Sequence, residues 1–194
     1  MIPIVILAAG TSSRMRGVDK LTQLIDGQPL LRRVAARACP VGTVFVALHP
    51  DASARASVLD GLPVTPLMIA DAAEGLSSTM RGAVAALPVC PAFMLVLADL
   101  PDLTTADLAA VMAARDTDPD ALIWRGATPD GKPGHPILFD ASLRQRFADL
   151  SGDTGGDSIV KPLRDRTHLV RFTDGRARLD LDTPEAWDAW RATH

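Results

Sequence analysis

A chain of 194 residues with 47% hydrophobic content is long enough for one domain with a full core. Its net charge of -3, pI near 5.7 and 4% aromatic residues, with no tyrosine, speak against a general nucleic-acid binder, which presents a basic surface and stacking rings. The apolar runs are all too short for a membrane span, and residues 1–7 are too short and lack basic flanks for a secretory signal, so a cytoplasmic location without a membrane partner is expected.

In chain order, apolar runs at 4–8, 44–48, 64–69, 93–98 and 121–124 read as strands, and segments 29–38, 51–59, 78–87 and 104–115 between them read as helices. The first helix shows Leu30, Leu31, Val34, Ala35 and Ala38 at helical spacing, with Pro29 suited to its first turn. Thr104, followed three residues later by Asp107, approximates a capping box. This alternation predicts an α/β fold with a mainly parallel sheet covered on both faces, in a single domain over 1–194.

Beyond Trp124, residues 125–134 read as a loop feeding a strand at 135–139, and 150–157 as a second loop opening a helix at 158–164. Strands at 169–172 and 178–181 follow, then a helix over 184–192 capped by Thr183, on which Trp187 and Trp190 read as packing anchors. Cys39 and Cys90 belong to no Cys-x-x-Cys pair and read as inert thiols.

The chemistry concentrates at the ends of two of these strands. After Leu7, Ala8 and Ala9 the first strand breaks at Gly10 into small polar residues carrying Arg14, Arg16 and Lys20. Such a loop brings backbone N–H groups close to phosphate oxygens while the cations add charge; the plain alternative is a surface loop with three solvated cations. A Walker A loop fails because Lys20 precedes Leu21, and a dinucleotide fingerprint fails because Thr11 and Ser12 follow Gly10. Asp99 ends a strand that reads as fully buried, where its carboxylate either caps the turn before Thr104 or faces a ligand at the strand ends. Alternation puts Asp180 and Asp182 on one side of a short strand. Ser77 and Ser78 either cap a helix starting at Ser78 or Thr79, or hydrogen-bond a base or ribose.

The pattern Leu7-x-x-Gly10-x3-Arg14-Met15-x-Gly17-x2-Lys20 resembles the signature of the NTP-transferase superfamily, which activates sugars, alcohols and pterin cofactors with a nucleoside triphosphate. Arg16 stands where that signature usually has glycine. Ala9 before Gly10, and Gly75-Leu-Ser-Ser-x-x-Arg81, resemble the CTP-using molybdenum-cofactor cytidylyltransferase branch; guanylyl-transferring relatives usually carry glycine at the place of Ala9.

The resemblance implies a three-layer, Rossmann-like nucleotidyltransferase fold. It implies Arg14, Lys20 and Asp99 as catalytic residues, nucleotide contacts from Leu7, Ala8, Ala9, Gly10, Ser77 and Ser78, and Mg²⁺ on Asp99 and Asp182. The loops holding Gly134, His135 and Asp153 resemble the family's acceptor side, although a histidine at a strand start is as often structural. The reaction implied is transfer of CMP from CTP to a molybdopterin-type cofactor with release of pyrophosphate, serving a molybdenum hydroxylase. GTP as donor, a sugar or alditol phosphate as acceptor, and a non-catalytic cofactor-delivery chaperone are the alternatives. An acceptor phosphate is already ionised near neutral pH, so the reaction calls for no general base.

Overall fold

The computed structural model describes residues 1–152 and 155–194. Strands β1 (Pro3–Leu7), β2 (Leu24–Ile25) and β3 (Gln28–Pro29) lead into helix α1 (Leu30–Ala38). There follow β4 (Thr43–Leu48), α2 (Ser53–Ser57), β5 (Val64–Met68), α3 (Leu76–Ala85), β6 (Ala92–Leu97) and α4 (Thr105–Thr117). The chain continues through β7 (Ile123–Ala127), β8 (Pro133–Asp140), α5 (Arg144–Ala148), α6 (Asp157–Val160), β9 (Thr167–Arg171) and α7 (Pro184–Arg191).

Seven strands form one sheet in the order β5-β4-β1-β6-β8-β7-β9. Pairing is parallel from β5 through β6 and between β7 and β9, while β8 runs antiparallel to both of its neighbours. The mainly parallel sheet read from the strand and helix alternation is therefore present. Strand β1, inside this sheet between β4 and β6, is buried on both faces, which is why residues 3–7 form a continuous apolar run.

The two-residue period of the strands divides the core. Ile4, Ile6, Val44, Val46 and Leu48 pack with α1 and α4, while Val5, Ala47, Phe93 and Leu95 pack with α3 and α5. Each buried leucine or isoleucine adds about 2 kcal/mol to this packing. Trp187 and Trp190 of α7 are buried against the first of these clusters, as anchors should be. Thr104 and Asp107 form the capping box at α4. Cys39 and Cys90 are half-buried free thiols whose pKa values burial raises, which keeps them protonated and unreactive.

Several elements differ from the sequence expectation. β2 and β3 form a small hairpin, turned by Asp26 and Gly27 at φ 51° and 76°, the left-handed pair that a two-residue turn requires. α2 covers only part of 51–59. α3 starts at Leu76, two residues before the expected start. β7 runs on to Ala127 through residues expected as loop, because its backbone continues to pair with β8 and β9. α5 places Phe147 edge-on against both Phe93 and Phe139, with ring centroids 5.3 and 5.1 Å away.

The expected strand at 178–181 is replaced by an irregular crossing segment. Its backbone bonds are made one at a time to different partners instead of along a single strand: His135 N–H donates to the Ala177 carbonyl at 2.8 Å, and Leu181 N–H to the Asp99 carbonyl at 3.1 Å. Arg176 fixes the near end, its guanidinium donating to both oxygens of buried Asp107 at 2.9 and 3.0 Å. This crossing segment carries Asp180 and Asp182 to the carboxyl end of β6. Among the described residues, no helix is long and apolar enough to cross a membrane.

Candidate active site

A cleft of about 450 Å³ opens at the carboxyl ends of β1 and β6, the place where a parallel sheet presents its loops to ligands. Leu7, Ala8, Ala9, Gly10, Arg14, Lys20, Asp99 and Asp182 all line it. The fold thus brings together residues from three distant parts of the chain. Gly75, Leu76 and Thr79, at the start of α3, close the opposite wall.

The loop after β1 owes its shape to tight turns. Met15 N–H donates to the Ser12 carbonyl at 2.9 Å, and Val18 N–H to the Met15 carbonyl at 3.1 Å. Arg16 keeps the left-handed conformation that glycine favours, at φ 52° and ψ 41°, and Gly17 follows at φ 89°. Arg16 therefore occupies a backbone conformation that glycine would adopt freely. Its side chain turns outward, donating to Glu185 at 2.6 Å.

At the centre of the cleft the Lys20 ammonium lies between two carboxylates. It donates to Asp99 Oδ2 at 2.5 Å and also to Asp182 Oδ1. Arg14 holds the other oxygen of Asp182 at 2.5 Å from a more exposed position. Burial alone would lower the Lys20 pKa, but the charges and hydrogen bonds of Asp99 and Asp182 outweigh it and raise the pKa above its ordinary value. For Asp182, burial acts upward, and the Lys20 hydrogen bond with the Lys20 and Arg14 charges carries the net shift downward. The lysine therefore stays charged across the physiological range and, together with Arg14, balances the two carboxylates.

Asp180 also lines the cleft, on the same crossing segment as Asp182. Its pKa is raised by partial burial and then by the neighbouring charges of Asp182 and Asp99. The Oδ1 atom of Asp99 is buried and has no hydrogen-bond partner among the described residues. An acceptor-only atom left this way suits a cation. No group of three or more His, Cys, Asp or Glu side chains poised for a metal occurs among the described residues, so an ion here would draw on two carboxylates and on oxygens from its substrate, as Mg²⁺ does.

Other expected site residues lie elsewhere. Ser78 is buried in α3, its hydroxyl donating to the Gly75 carbonyl at 2.8 Å, and it lines a separate groove with Asp71 and Arg81. Ser77 is buried too, without a hydroxyl partner among the described residues. Gly134 has a packing role: a Cβ there would lie 2.1 Å from the Ala177 carbonyl oxygen, so only glycine admits the crossing segment. His135 faces the Leu95 carbonyl, and burial, aided by the Arg125 charge, pushes its pKa down to about 4. Neither Gly134 nor His135 lines the main cleft. Asp153 lies outside the described residues.

A second pocket of about 430 Å³ opens between β7, β8 and β9 and the segment after α6. Arg125, Lys161 and Arg164 give it positive charge, with Asp157 opposing. Burial pushes the Arg125 guanidinium down to about 10, which leaves it charged at neutral pH. Arg125 is in register with Ile137, so its side chain points to the face of the sheet that α3 covers.

The mainly parallel sheet, with a small-residue loop after β1 facing carboxylates that follow β6 and ride on the crossing segment, is the fold of a nucleotidyltransferase. The chain belongs to the family of the MobA-like NTP transferase domain, whose model matches residues 4–168. A molybdenum cofactor guanylyltransferase from Burkholderia orbicola (strain MC0-3) is 32% identical over 184 residues, covering 89% of this chain and 86% of the relative. Rv0371c from Mycobacterium tuberculosis H37Rv superposes with a TM-score of 0.79 at 28% identity, covering 98% of this chain and 97% of its own. The same mycobacterial protein has been crystallised in complex with manganese; that structure matches with a TM-score of 0.80 at 25% identity and covers 100% of this chain and 99% of the other.

Proposed function

We propose that this nucleotidyltransferase moves a nucleoside monophosphate from a nucleoside triphosphate onto a molybdopterin-type phosphate. A phosphate oxygen of the acceptor attacks the α-phosphorus, the bond to the bridging oxygen breaks, and its electron pair leaves with pyrophosphate. Two polyanions must approach one another, so neutralising charge is the main demand on the protein. The observation that carries the reading is the Lys20 ammonium clasped by Asp99 and Asp182 at the mouth of the Gly10 loop. It provides one cation for phosphate oxygens and two carboxylates for a metal within a single cluster.

In this reading Arg14 and Lys20 turn to the β- and γ-phosphates and stabilise the departing pyrophosphate, while the loop from Ala8 to Gly10 receives phosphate oxygens. Asp99 and Asp182 would hold Mg²⁺, which when bound supplies positive charge to the reacting phosphates. The orphaned Asp99 Oδ1 fits that role. The attacking acceptor phosphate must lie within the main cleft, beside the α-phosphorus; the pocket of Arg125, Lys161 and Arg164 shares no lining residue with that cleft. The product, a molybdopterin nucleotide, is what a molybdenum hydroxylase in the same cytoplasm would receive.

The name of the curated relative makes GTP the first donor to test. A second reading, CTP, is favoured by Ala9 in place of the glycine usual in guanylyl-transferring relatives. The Ser78 hydroxyl donates to the Gly75 carbonyl, which speaks against its reading a cytosine. A thermal-shift panel of GTP, CTP, ATP and UTP, each with and without Mg²⁺, tests the donor. A ligand at 100 times its dissociation constant adds about 2.7 kcal/mol to stability, so the preferred base stands out. Metal-dependent stabilisation by GTP or CTP above the other bases is expected; equal or absent responses would overturn the reading.

A further inference from the structure

Among the charged side chains outside the cleft, Arg55 is buried to 6% exposure and carries no assigned role. It sits on α2, where Ala52, Ala56 and Val58, on and beside the helix, pack against the core and the guanidinium turns toward the loop after β1. Nε and Nη2 donate to the two oxygens of Asp19 at 2.7 and 2.9 Å, a bidentate fork. Nη1 donates to the Ala8 carbonyl at 2.5 Å, and Nη2 reaches Ser12 Oγ at 3.2 Å.

These partners are the start, the middle and the end of the phosphate loop. Ala8 opens it. Ser12 holds a left-handed bend at φ 52°, a conformation that costs energy unless its surroundings enforce it. Asp19 closes it and caps the turn that begins with Lys20, accepting from Leu21 N–H at 3.0 Å. Neither Arg55 nor Asp19 lines the cleft, so neither would touch the nucleotide.

We infer that Arg55 is a positioning residue: it clamps both ends of the loop so that the Ala8–Gly10 backbone and the Lys20 ammonium face phosphate together. The peptide after Ala8 is planar and trans, so holding its carbonyl outward turns the Ala9 N–H the opposite way. Holding Asp19 fixes the first turn from which Lys20 projects. A lysine cannot replace this group, because four donor contacts in three directions require the planar fork.

The inference rests on the reading of the cleft as a nucleotide site, and the test separates the two. Two variants are compared with the unmodified protein: Arg55→Lys, which keeps the charge, and Arg55→Met combined with Asp19→Asn, which removes both charges and leaves neither buried alone. Dissociation constants for the preferred nucleotide with Mg²⁺ are measured by calorimetry, well below the melting temperature of each variant. A clamp that positions the loop predicts at least fivefold weaker nucleotide binding in each folded variant. It also predicts faster hydrogen exchange at the amides of residues 9–18, with little change in α4 or α7. Binding within a factor of two in a folded variant, with only the melting temperature lowered, would reduce Arg55 to a structural residue and overturn the inference. Absence of nucleotide binding by the unmodified protein would instead overturn the reading of the cleft, and the clamp with it.

Discussion

Replacing Lys20 by methionine removes the one ammonium shared by Asp99 and Asp182 while keeping an unbranched side chain only one atom shorter. The lysine is 13% exposed and the two carboxylates 16% and 28%, so the cluster is sheltered and only partly rehydrated when broken. Breaking a buried pair by deleting one partner costs about 3–5 kcal/mol. Arg14 still holds Asp182 in the variant, and Asp182 is the more exposed carboxylate, which reduces the expected cost to about 2–3 kcal/mol. For a domain of this size that corresponds to a melting temperature lowered by roughly 5–10 °C. The same substitution removes the cation that competes with a metal for the two carboxylates. Mn²⁺ or Mg²⁺ should therefore raise the melting temperature of Lys20→Met more than that of the unmodified protein, while nucleotidyl transfer falls at least about a hundredfold. Scanning fluorimetry in chelator and across a metal titration gives both quantities. An unchanged melting temperature in chelator, together with an equal gain from metal, would refute the reasoning.

Arg16→Gly should raise the stability modestly, by less than about 1 kcal/mol, because relief of the left-handed backbone is partly offset by the freedom glycine gains in the unfolded chain; a lowered denaturant midpoint would mean that the contact with Glu185 dominates. Gly134→Ala puts a Cβ 2.1 Å from the Ala177 carbonyl oxygen, so the crossing segment must shift at a cost of more than about 1 kcal/mol, and transfer should fall along with the melting temperature because Asp180 and Asp182 ride on that segment. His135, with its pKa pushed down to about 4 from 6.5, stays neutral in the folded chain while the unfolded chain takes up a proton. Stability should thus fall as pH drops through that window, by up to about 3 kcal/mol, and His135→Gln should flatten the dependence in denaturant titrations between pH 4 and 7.

The parts of the molecule legible in the sequence are those where local pattern and tertiary environment agree. β1 is apolar throughout because both its faces are covered, and the break at Gly10 announces the loop; Leu7, Ala8, Ala9, Gly10, Arg14 and Lys20 accordingly meet in one cleft. Asp182 was reachable only through family resemblance, since nothing local reveals that a segment so far along the chain returns to Asp99. The alternation of Arg178, Leu179, Asp180 and Leu181 imitates a strand, yet the backbone there finds its partners singly. Arg55 was not legible, because a buried arginine and a solvated one look alike in sequence. Asp26 and Gly27 did carry a hairpin signal, but the flanking strands are two residues each, too short for periodicity to register. The base preference also escapes local reading: Ala9 points to CTP, and the named relative points to GTP.

The central claim is nucleotidyl transfer at the Lys20, Asp99 and Asp182 cluster, and pyrophosphate release in the presence of molybdopterin tests it most directly. With Mg²⁺ and GTP or CTP, the unmodified protein should release one pyrophosphate per molybdopterin nucleotide formed, and Asp99→Asn should lose at least about a thousandfold of that rate. Release at an undiminished rate by Asp99→Asn, or no release with any of the four nucleotides, would contradict the claim.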